Sequence, residues 1–119
     1  RTSSDKYILS AMAYFVAKYY FVRFVIVTDD KPYCQRLFRK RNDVIFTPNS
    51  FGAAEDLSVL TLCDHVIITA GTFGWWGAFL NSKGGEILTD SKHDHSPIDV
   101  NCSPTAYFPY WFSFLNHTE

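Results

Sequence analysis

A turn between a predicted strand and a predicted helix carries the residues best suited to bind an anion. Thr69-Ala70-Gly71-Thr72-Phe73 leaves an apolar run and enters a helical pattern, so unpaired backbone N–H groups at the helix start converge on one point. Gly71 allows close approach, and the hydroxyl of Thr72 or the amides of Thr72 and Phe73 could meet a phosphate oxygen. The same residues also fit an ordinary helix start with Thr72 as the N-cap. Taken alone, the segment indicates either a phosphate site or a capped helix.

Two aspartates stand where a nucleoside could be recognised, and a third lies near a predicted helix start. Asp29 and Asp30 follow the apolar run Phe21–Val27, and a carboxylate at the end of a strand can accept hydrogen bonds from ribose hydroxyls or a base amide. Asp56 lies near the start of a later predicted helix. A favourable interaction with the helix dipole is enough to explain an acidic residue at that position.

The helix after this turn is unusual because Phe73-Gly74-Trp75-Trp76-Gly77-Ala78-Phe79 contains two glycines. Each costs about 1 kcal/mol relative to alanine inside a helix, so we expect a neighbouring element to approach closely. Trp75 is the tryptophan nearer the turn and is a candidate for the wall of the site. Packing into the core is the alternative for it.

Other catalytic patterns are weak or absent. His93-Asp94-His95 has no further ligand at a recognisable spacing, so we predict no metal site. His65 directly precedes an apolar run and is predicted to be a hydrogen-bonded strand-end histidine rather than a base. The sequence has no Gly-x-Ser-x-Gly elbow, no P-loop lysine and no Cys-x-x-Cys pair, which leaves hydrolase, kinase and zinc-site interpretations without a motif.

Composition predicts an ordered globular protein. The 119 residues are 47% hydrophobic and 19% charged, and the net charge of -1 makes nucleic acid a poor partner. The basic cluster at residues 36–41 fits a solvated helix end, with a phosphate-facing role as the alternative. No apolar run reaches the roughly 20 residues that span a bilayer, so any membrane anchor is expected outside this sequence. Asn116 begins an N-glycosylation tripeptide.

Apolar periodicity predicts alternating helices and strands. The first helix covers Ser4–Tyr20, with an apolar stripe that we expect to pack into the core. Strand Phe21–Val27, apolar throughout apart from Arg23, is predicted to be covered on both faces. The remaining predicted elements are a helix at Lys31–Arg39 with Pro32 in its first turn, a strand at Asp43–Thr47, a helix at Ala53–Cys63, a strand at His65–Thr69, a helix at Phe73–Leu80 and a strand at Glu86–Thr89, followed by an aromatic tail at Tyr107–Phe114.

This order predicts an α/β fold with an open, mostly parallel sheet and helices on both faces. Ligands of such sheets bind outside the carboxyl ends of the strands. The rule selects three segments, at residues 28–30, 47–51 and 69–73.

Three motifs occur together in a recognisable order. They are Thr28-Asp29-Asp30 followed by Tyr33-Cys34, the acidic-Leu-x-x-Leu-x-x-Cys helix Asp56-Leu57-Ser58-Val59-Leu60-Thr61-Leu62-Cys63, and the block Gly71-Thr72-Phe73-Gly74-Trp75-Trp76. In these motifs and their spacing, the chain resembles the galactoside α-1,2-fucosyltransferases of glycosyltransferase family 11 over essentially its whole length, including the tail Ala106–Trp111.

The resemblance implies a two-lobed, metal-independent, inverting enzyme of the GT-B type. Such an enzyme transfers L-fucose from GDP-fucose, its donor substrate, to the 2-hydroxyl of a terminal galactose on a glycan, and needs no cofactor. Residues 1–119 would form its Rossmann-like, GDP-fucose-binding C-terminal lobe. The complete protein would be a type II membrane protein on the lumenal side of the Golgi.

The resemblance also assigns site residues. Asp56 would lie at the guanine, Asp29 and Asp30 near the nucleoside, and Gly71, Thr72 and Phe73 at the diphosphate. Trp75 is added to the predicted GDP-fucose site only because it is close to this turn. The family's His-x-Arg-Arg-x-Asp motif, whose arginine resembles a diphosphate clamp, is absent from these 119 residues. Because a metal-free reaction should need such a cation, we expect these residues alone to be weak or inactive. A non-catalytic nucleotide-sugar or glycan-binding domain of the same fold is the alternative.

Overall fold

A computed structural model describes residues 4–69, 72–90 and 111–115 of the chain. Helix α1 spans Asp5–Lys18, and the Ser4 side chain caps it by accepting a hydrogen bond of 3.1 Å from the Tyr7 backbone N–H. The buried face of α1 consists of Tyr7, Ala11, Met12 and Phe15. Their spacing of three and four residues puts them on one side of the helix, so the predicted amphipathic helix is confirmed.

The other elements follow in the predicted order, and each strand is short. They are β1 Phe24–Ile26, α2 Lys31–Leu37, β2 Val44–Phe46, α3 Ala53–Leu62, β3 Val66–Ile67, α4 Thr72–Phe79, β4 Ile87–Asp90 and β5 Phe112–Leu115. Strand β5 lies in the tail for which the sequence predicted only aromatic character. Strand β1 covers the centre of the predicted Phe21–Val27 strand, and its three residues are half-buried rather than covered on both faces.

The described strands form two parallel sheets, which confirms the open, parallel α/β fold. Strand β1 pairs with β2, and β3, β4 and β5 pair in that order. Strands β1 and β3 both line a cleft between the sheets. The chain steps from β1 to β2 in one direction and from β3 to β5 in the other, so the cleft lies at the topological switch point. Ligands of open α/β folds bind at such a point.

Helices cover both faces of the sheet β3-β4-β5. On one face, Val66, Ile68, Ile87 and Phe112 pack with Ala78 of α4, and Leu60 of α3 joins them. On the other face, Leu88 packs with Tyr7, Ala11 and Phe15 of α1, with Ile67 and Leu115 at the margin. Because consecutive strand residues such as Ile87 and Leu88 point to opposite faces, each strand contributes to both clusters.

Helices α3 and α4 pack closely at Gly77, so the close approach expected at the two glycines is found at one of them. A Cβ atom added at Gly77 would lie 2.6 Å from Cδ1 of Leu60, so only glycine fits without movement of the leucine. Just beyond α4, Nδ2 of Asn81 donates hydrogen bonds to the carbonyl oxygens of Leu60 at 2.9 Å and Cys63 at 2.7 Å. These bonds satisfy carbonyl groups that the end of a helix leaves without a partner.

A polar network joins the end of α1 to the start of β4. The Glu86 carboxylate accepts hydrogen bonds from the hydroxyls of Tyr14 and Tyr19, both at 2.5 Å, and from the Lys18 ammonium at 2.8 Å. Partial burial alone would raise the pKa of Glu86, but these bonds outweigh it and lower the pKa to about 2. The Glu86 backbone N–H donates to Nδ1 of His65 at 2.8 Å, which confirms His65 as a hydrogen-bonded strand-end histidine.

Candidate functional site

The cleft at the switch point has a volume of about 1490 Å³ and is lined by the carboxyl ends of β1 and β3. The loops after β1, β2 and β3 all contribute to its wall. Four of the residues selected from the sequence line it, namely Asp29, Asp30, Asp56 and Phe73. The sequence therefore predicted correctly which strand ends meet at one place.

The turn after β1 holds the first two aspartates. Oδ1 of Asp30 accepts a hydrogen bond of 3.3 Å from the Tyr33 backbone N–H and is the N-cap of α2. The Asp30 backbone N–H donates to Oγ1 of Thr28 at 3.0 Å, which fixes the turn. Asp30 thus has a structural role that the sequence analysis did not assign to it. Asp29 is exposed on the same turn.

The loop after β2 is tied to the loop after β1 by Lys31. Its ammonium donates to the carbonyl oxygen of Thr47 at 2.6 Å and to Oδ1 of Asn49 at 2.9 Å. The Phe51 backbone N–H then donates to the carbonyl oxygen of Pro48 at 3.0 Å, which closes a turn. Sequence reasoning missed Lys31, because nothing in its neighbours shows that its side chain crosses to the next strand.

Asp56 lies in the first turns of α3, on the wall of the cleft. The helix begins after Gly52, whose backbone N–H donates to Oε1 of Glu55 at 2.8 Å. Oδ1 of Asp56 is buried and accepts no hydrogen bond from any of the described residues. A buried carboxylate oxygen is costly without a donor, so this atom is suited to receive one from a ligand.

The turn after β3 is described on both sides of residues 70 and 71. Thr69 is exposed at the cleft, and helix α4 begins at Thr72. The Phe73 side chain is 41% exposed and lines the cleft. Gly71 lies outside the described residues, as do His93, His95 and Asn116.

The side chain of Trp75, a residue of α4, packs against the core. Its ring stacks on Phe79 with centroids 5.2 Å apart and lies 6.3 Å from the ring of Phe112. It joins the cluster that contains Val66 and Ile87. The structure thus places Trp75 against the core, the second of the two roles considered for it.

Two cysteines, Cys34 and Cys63, line the cleft as free thiols. Burial raises the pKa of both, and the negative charges of Asp30 and Asp29 raise that of Cys34 further against an opposing hydrogen bond from Thr28. Both thiols therefore stay protonated near neutral pH. A thiolate nucleophile does not fit this site.

The described residues offer no metal-ligand cluster. Across residues 4–69, 72–90 and 111–115, no three His, Cys, Asp or Glu side chains come together as a group that could hold an ion. None of the helices in the same ranges is long and apolar enough to cross a membrane.

The fold and the cleft define an open α/β domain with a candidate binding site at its switch point. Residues 2–114 match the family model described as Glycosyl transferase family 11. The chain belongs to this family, as its resemblance predicted.

The curated relatives of the chain are named as galactoside fucosyltransferases. The chain is 34% identical over 109 residues to the galactoside 2-alpha-L-fucosyltransferase Sec1 of Mus musculus, covering 88% of this chain and 30% of that protein. It is 35% identical over 112 residues to the galactoside alpha-(1,2)-fucosyltransferase 2 of Sus scrofa, covering 89% of this chain and 32% of that protein. The chain thus spans about a third of the length of these curated relatives. No solved structure gives a significant match.

Proposed function

We propose that residues 1–119 are the donor-binding lobe of a longer, two-lobed α-1,2-fucosyltransferase of the GT-B type. The complete enzyme transfers L-fucose from GDP-fucose to the 2-hydroxyl of a terminal galactose on a glycan, with inversion and without a metal. Family membership and the names of the relatives support this activity. The observation that carries the site is the buried Oδ1 of Asp56, which has no donor among the described residues and lies at a cleft wall.

Guanine is the base whose edge suits Asp56. Its ring N–H and its amino group are adjacent donors, and an ionised carboxylate is a pure acceptor that can receive both. Asp29 and Asp30 stand at the neighbouring strand end, where ribose hydroxyls can donate to them. The diphosphate then lies at the turn of Gly71, Thr72 and Phe73. Trp75 packs against the core and so holds α4 in position beside this turn.

The charges at the cleft bear on the chemistry. Lys31 lines the cleft together with the three aspartates Asp29, Asp30 and Asp56, and its ammonium is already bonded to the loop after β2. A leaving diphosphate gains negative charge as the fucosyl bond breaks, so a further cation must approach from outside the described residues. We therefore expect these 119 residues to bind the donor and to transfer fucose weakly or not at all without the rest of the enzyme.

The proposed activity also implies a cellular location for the complete protein. It is a type II membrane protein of the Golgi whose catalytic part faces the lumen, and its anchor lies outside these residues. Its partners are GDP-fucose and a galactose-terminated glycan.

Calorimetric titration of the full-length protein with GDP tests the donor site. Asp56→Asn should weaken GDP binding by about 10- to 100-fold, because one charged acceptor is lost. It should weaken binding of inosine diphosphate less, since that base lacks the amino group. Asp5→Asn is a matched control, because Asp5 is also a carboxylate in the first turn of a helix. Equal GDP affinity in wild type and Asp56→Asn would refute the assignment of Asp56.

A transfer assay separates the enzyme from the alternative. Mass spectrometry should detect fucose on a galactose-ended oligosaccharide after incubation with GDP-fucose. Binding of GDP without any transfer would favour a non-catalytic nucleotide-sugar or glycan-binding domain. Failure of the full-length protein to bind GDP would contradict both.

A further inference from the structure

Phe51 and Asp56 occupy the two positions that meet at the start of a helix. Gly52 is the N-cap of α3, so Phe51 precedes the cap and Asp56 is the fourth residue of the helix. In many helices these two positions are both apolar, and their side chains pack together as a hydrophobic staple. Here a carboxylate takes the place of the apolar partner, so the usual reason for an aromatic residue before the cap is missing.

Both side chains line the same cleft. Phe51 remains 37% exposed, although a ring of this size is favoured in contact with apolar surface. Beside it, Oδ1 of Asp56 is buried without a donor from the described residues. The start of α3 thus presents an apolar ring and a hydrogen-bond acceptor to the same cleft. Among the described residues, no donor bonds to the acceptor, and the ring remains partly exposed.

The loop that carries Phe51 is held in place before any ligand binds. The Phe51 backbone N–H is bonded to the carbonyl oxygen of Pro48, and Lys31 bonds to Thr47 and Asn49 at the beginning of the same loop. A side chain on a loop fixed at both ends loses little conformational entropy when a ligand packs on it. These contacts give Phe51 a preformed position.

We propose that Phe51 is the stacking platform for the base of the bound nucleotide, while Asp56 binds the edge of the same base. A flat heterocycle with N–H donors along one edge matches both surfaces at once. Stacking on an aromatic ring grows with the area of the base, so Phe51 favours a purine over a pyrimidine. This assignment rests on the proposed nucleotide-sugar donor and identifies a second base-recognising residue.

Titration of the full-length protein with GDP tests the platform. Phe51→Leu keeps an apolar side chain but removes the flat ring, and it should weaken GDP binding by about 5- to 50-fold. Phe51→Trp keeps a flat ring and should bind GDP within about twofold of wild type. Tyr20→Leu is the control, because the Tyr20 ring is fully exposed and does not line the cleft, and it should leave GDP affinity unchanged.

Two further readouts separate stacking from loop packing. The proton on C8 of guanine should shift upfield in the NMR spectrum of GDP bound to wild type, and this shift should disappear in Phe51→Leu. Unfolding temperatures without ligand should be similar for wild type, Phe51→Leu and Phe51→Trp.

The possible failures are distinct. Unchanged GDP affinity in Phe51→Leu, or equal losses in Phe51→Leu and Phe51→Trp, would overturn the platform while an effect of Asp56→Asn kept the proposed donor site. Absence of GDP binding in the wild-type protein would overturn the proposed function and the platform together.

Discussion

The ammonium of Lys31 lies 2.6 Å from the carbonyl oxygen of Thr47 and joins the loops that follow the two strands of the smaller sheet. Its second bond, to Oδ1 of Asn49, extends the connection along the loop that leads to Phe51 and α3. Lys31, the first residue of α2, therefore fixes the beginning of the loop that leads into α3.

Removing this connection should loosen the cleft. Lys31→Met keeps the aliphatic stem and loses the ammonium, so we expect the free energy of unfolding to fall by about 0.5 to 1.5 kcal/mol. GDP affinity should fall as well, because the loop before Asp56 loses its anchor. Urea denaturation and calorimetry measure the two effects. Lys40→Met changes an exposed lysine and serves as the control; identical behaviour of the two variants would mean that the connection has no energetic weight.

The buried hydroxyl of Tyr7 should matter for stability. Tyr7 is 0% exposed, and its hydroxyl donates to the carbonyl oxygen of Ile68 at 2.7 Å and lies 3.3 Å from that of Leu88. Tyr7→Phe removes the donor and should lower the free energy of unfolding by about 1 to 3 kcal/mol, since a buried acceptor loses a partner. Tyr20→Phe, at a fully exposed tyrosine, should have no effect in the same urea titration. A Tyr7→Phe protein as stable as wild type would contradict the expected contribution.

The Glu86 network should make stability depend on pH in acid. The pKa of Glu86 is lowered in the folded protein from 4.5 to about 2, so the unfolded state binds this proton more readily. Its contribution is complete above pH 4.5 and is lost as the pH falls through the folded value near 2. Glu86→Gln should therefore be less stable than wild type at pH 7, and the difference should shrink in acid. Urea titrations of both proteins from pH 7 to acid measure it, and a difference that stayed constant would rule out this linkage.

The contact between α3 and α4 should tolerate alanine at one glycine and not at the other. Gly77→Ala places a methyl group against Leu60 and should destabilise the protein by about 1 to 3 kcal/mol, despite the better helix propensity of alanine. A Cβ at Gly74 would lie 3.4 Å from Cγ2 of Ile68, an ordinary contact, so Gly74→Ala should be neutral or slightly stabilising. In a Leu60→Ala background the cost of Gly77→Ala should decrease. Thermal unfolding of wild type, Gly77→Ala, Gly74→Ala, Leu60→Ala and the Leu60→Ala/Gly77→Ala double variant provides the comparison, and equal effects at both glycines would argue against the steric explanation.

Local sequence patterns predicted the elements because each has a local cause. Ser4 caps α1, Pro32 lies in the first turn of α2, and the apolar spacing of α1 matches its buried face. Strand ends were less predictable. The run at Phe21 is apolar, yet Phe21 is 73% exposed, because the cleft opens beside β1 and leaves that side without a neighbouring strand.

The candidate site was predictable in outline, through the rule that places ligands at the ends of parallel strands. That rule selected the segments of Asp29, Asp30 and Phe73, which line one cleft, whereas Asp56 was selected through the family resemblance. It could not show that Asp30 caps α2 or that Lys31 reaches Thr47, since both depend on how side chains turn in space. The rule selected residues 47–51, which include Phe51, but it gave Phe51 no role, because that role depends on which residue is the N-cap of α3. Strand β5 was missed because its partner, β4, lies more than twenty residues away in sequence.

The bonds from Asn81 to Leu60 and Cys63 have a consequence for how the cleft keeps its dimensions. Asn81 joins the C-terminal ends of α3 and α4, and the close contact of Gly77 with Leu60 lies near the same ends. The near ends of these two helices carry Asp56 and Thr72, so neither can slide along its axis without taking the other with it. The distance between the residues proposed to bind the base and the diphosphate therefore depends on contacts at the other ends of α3 and α4.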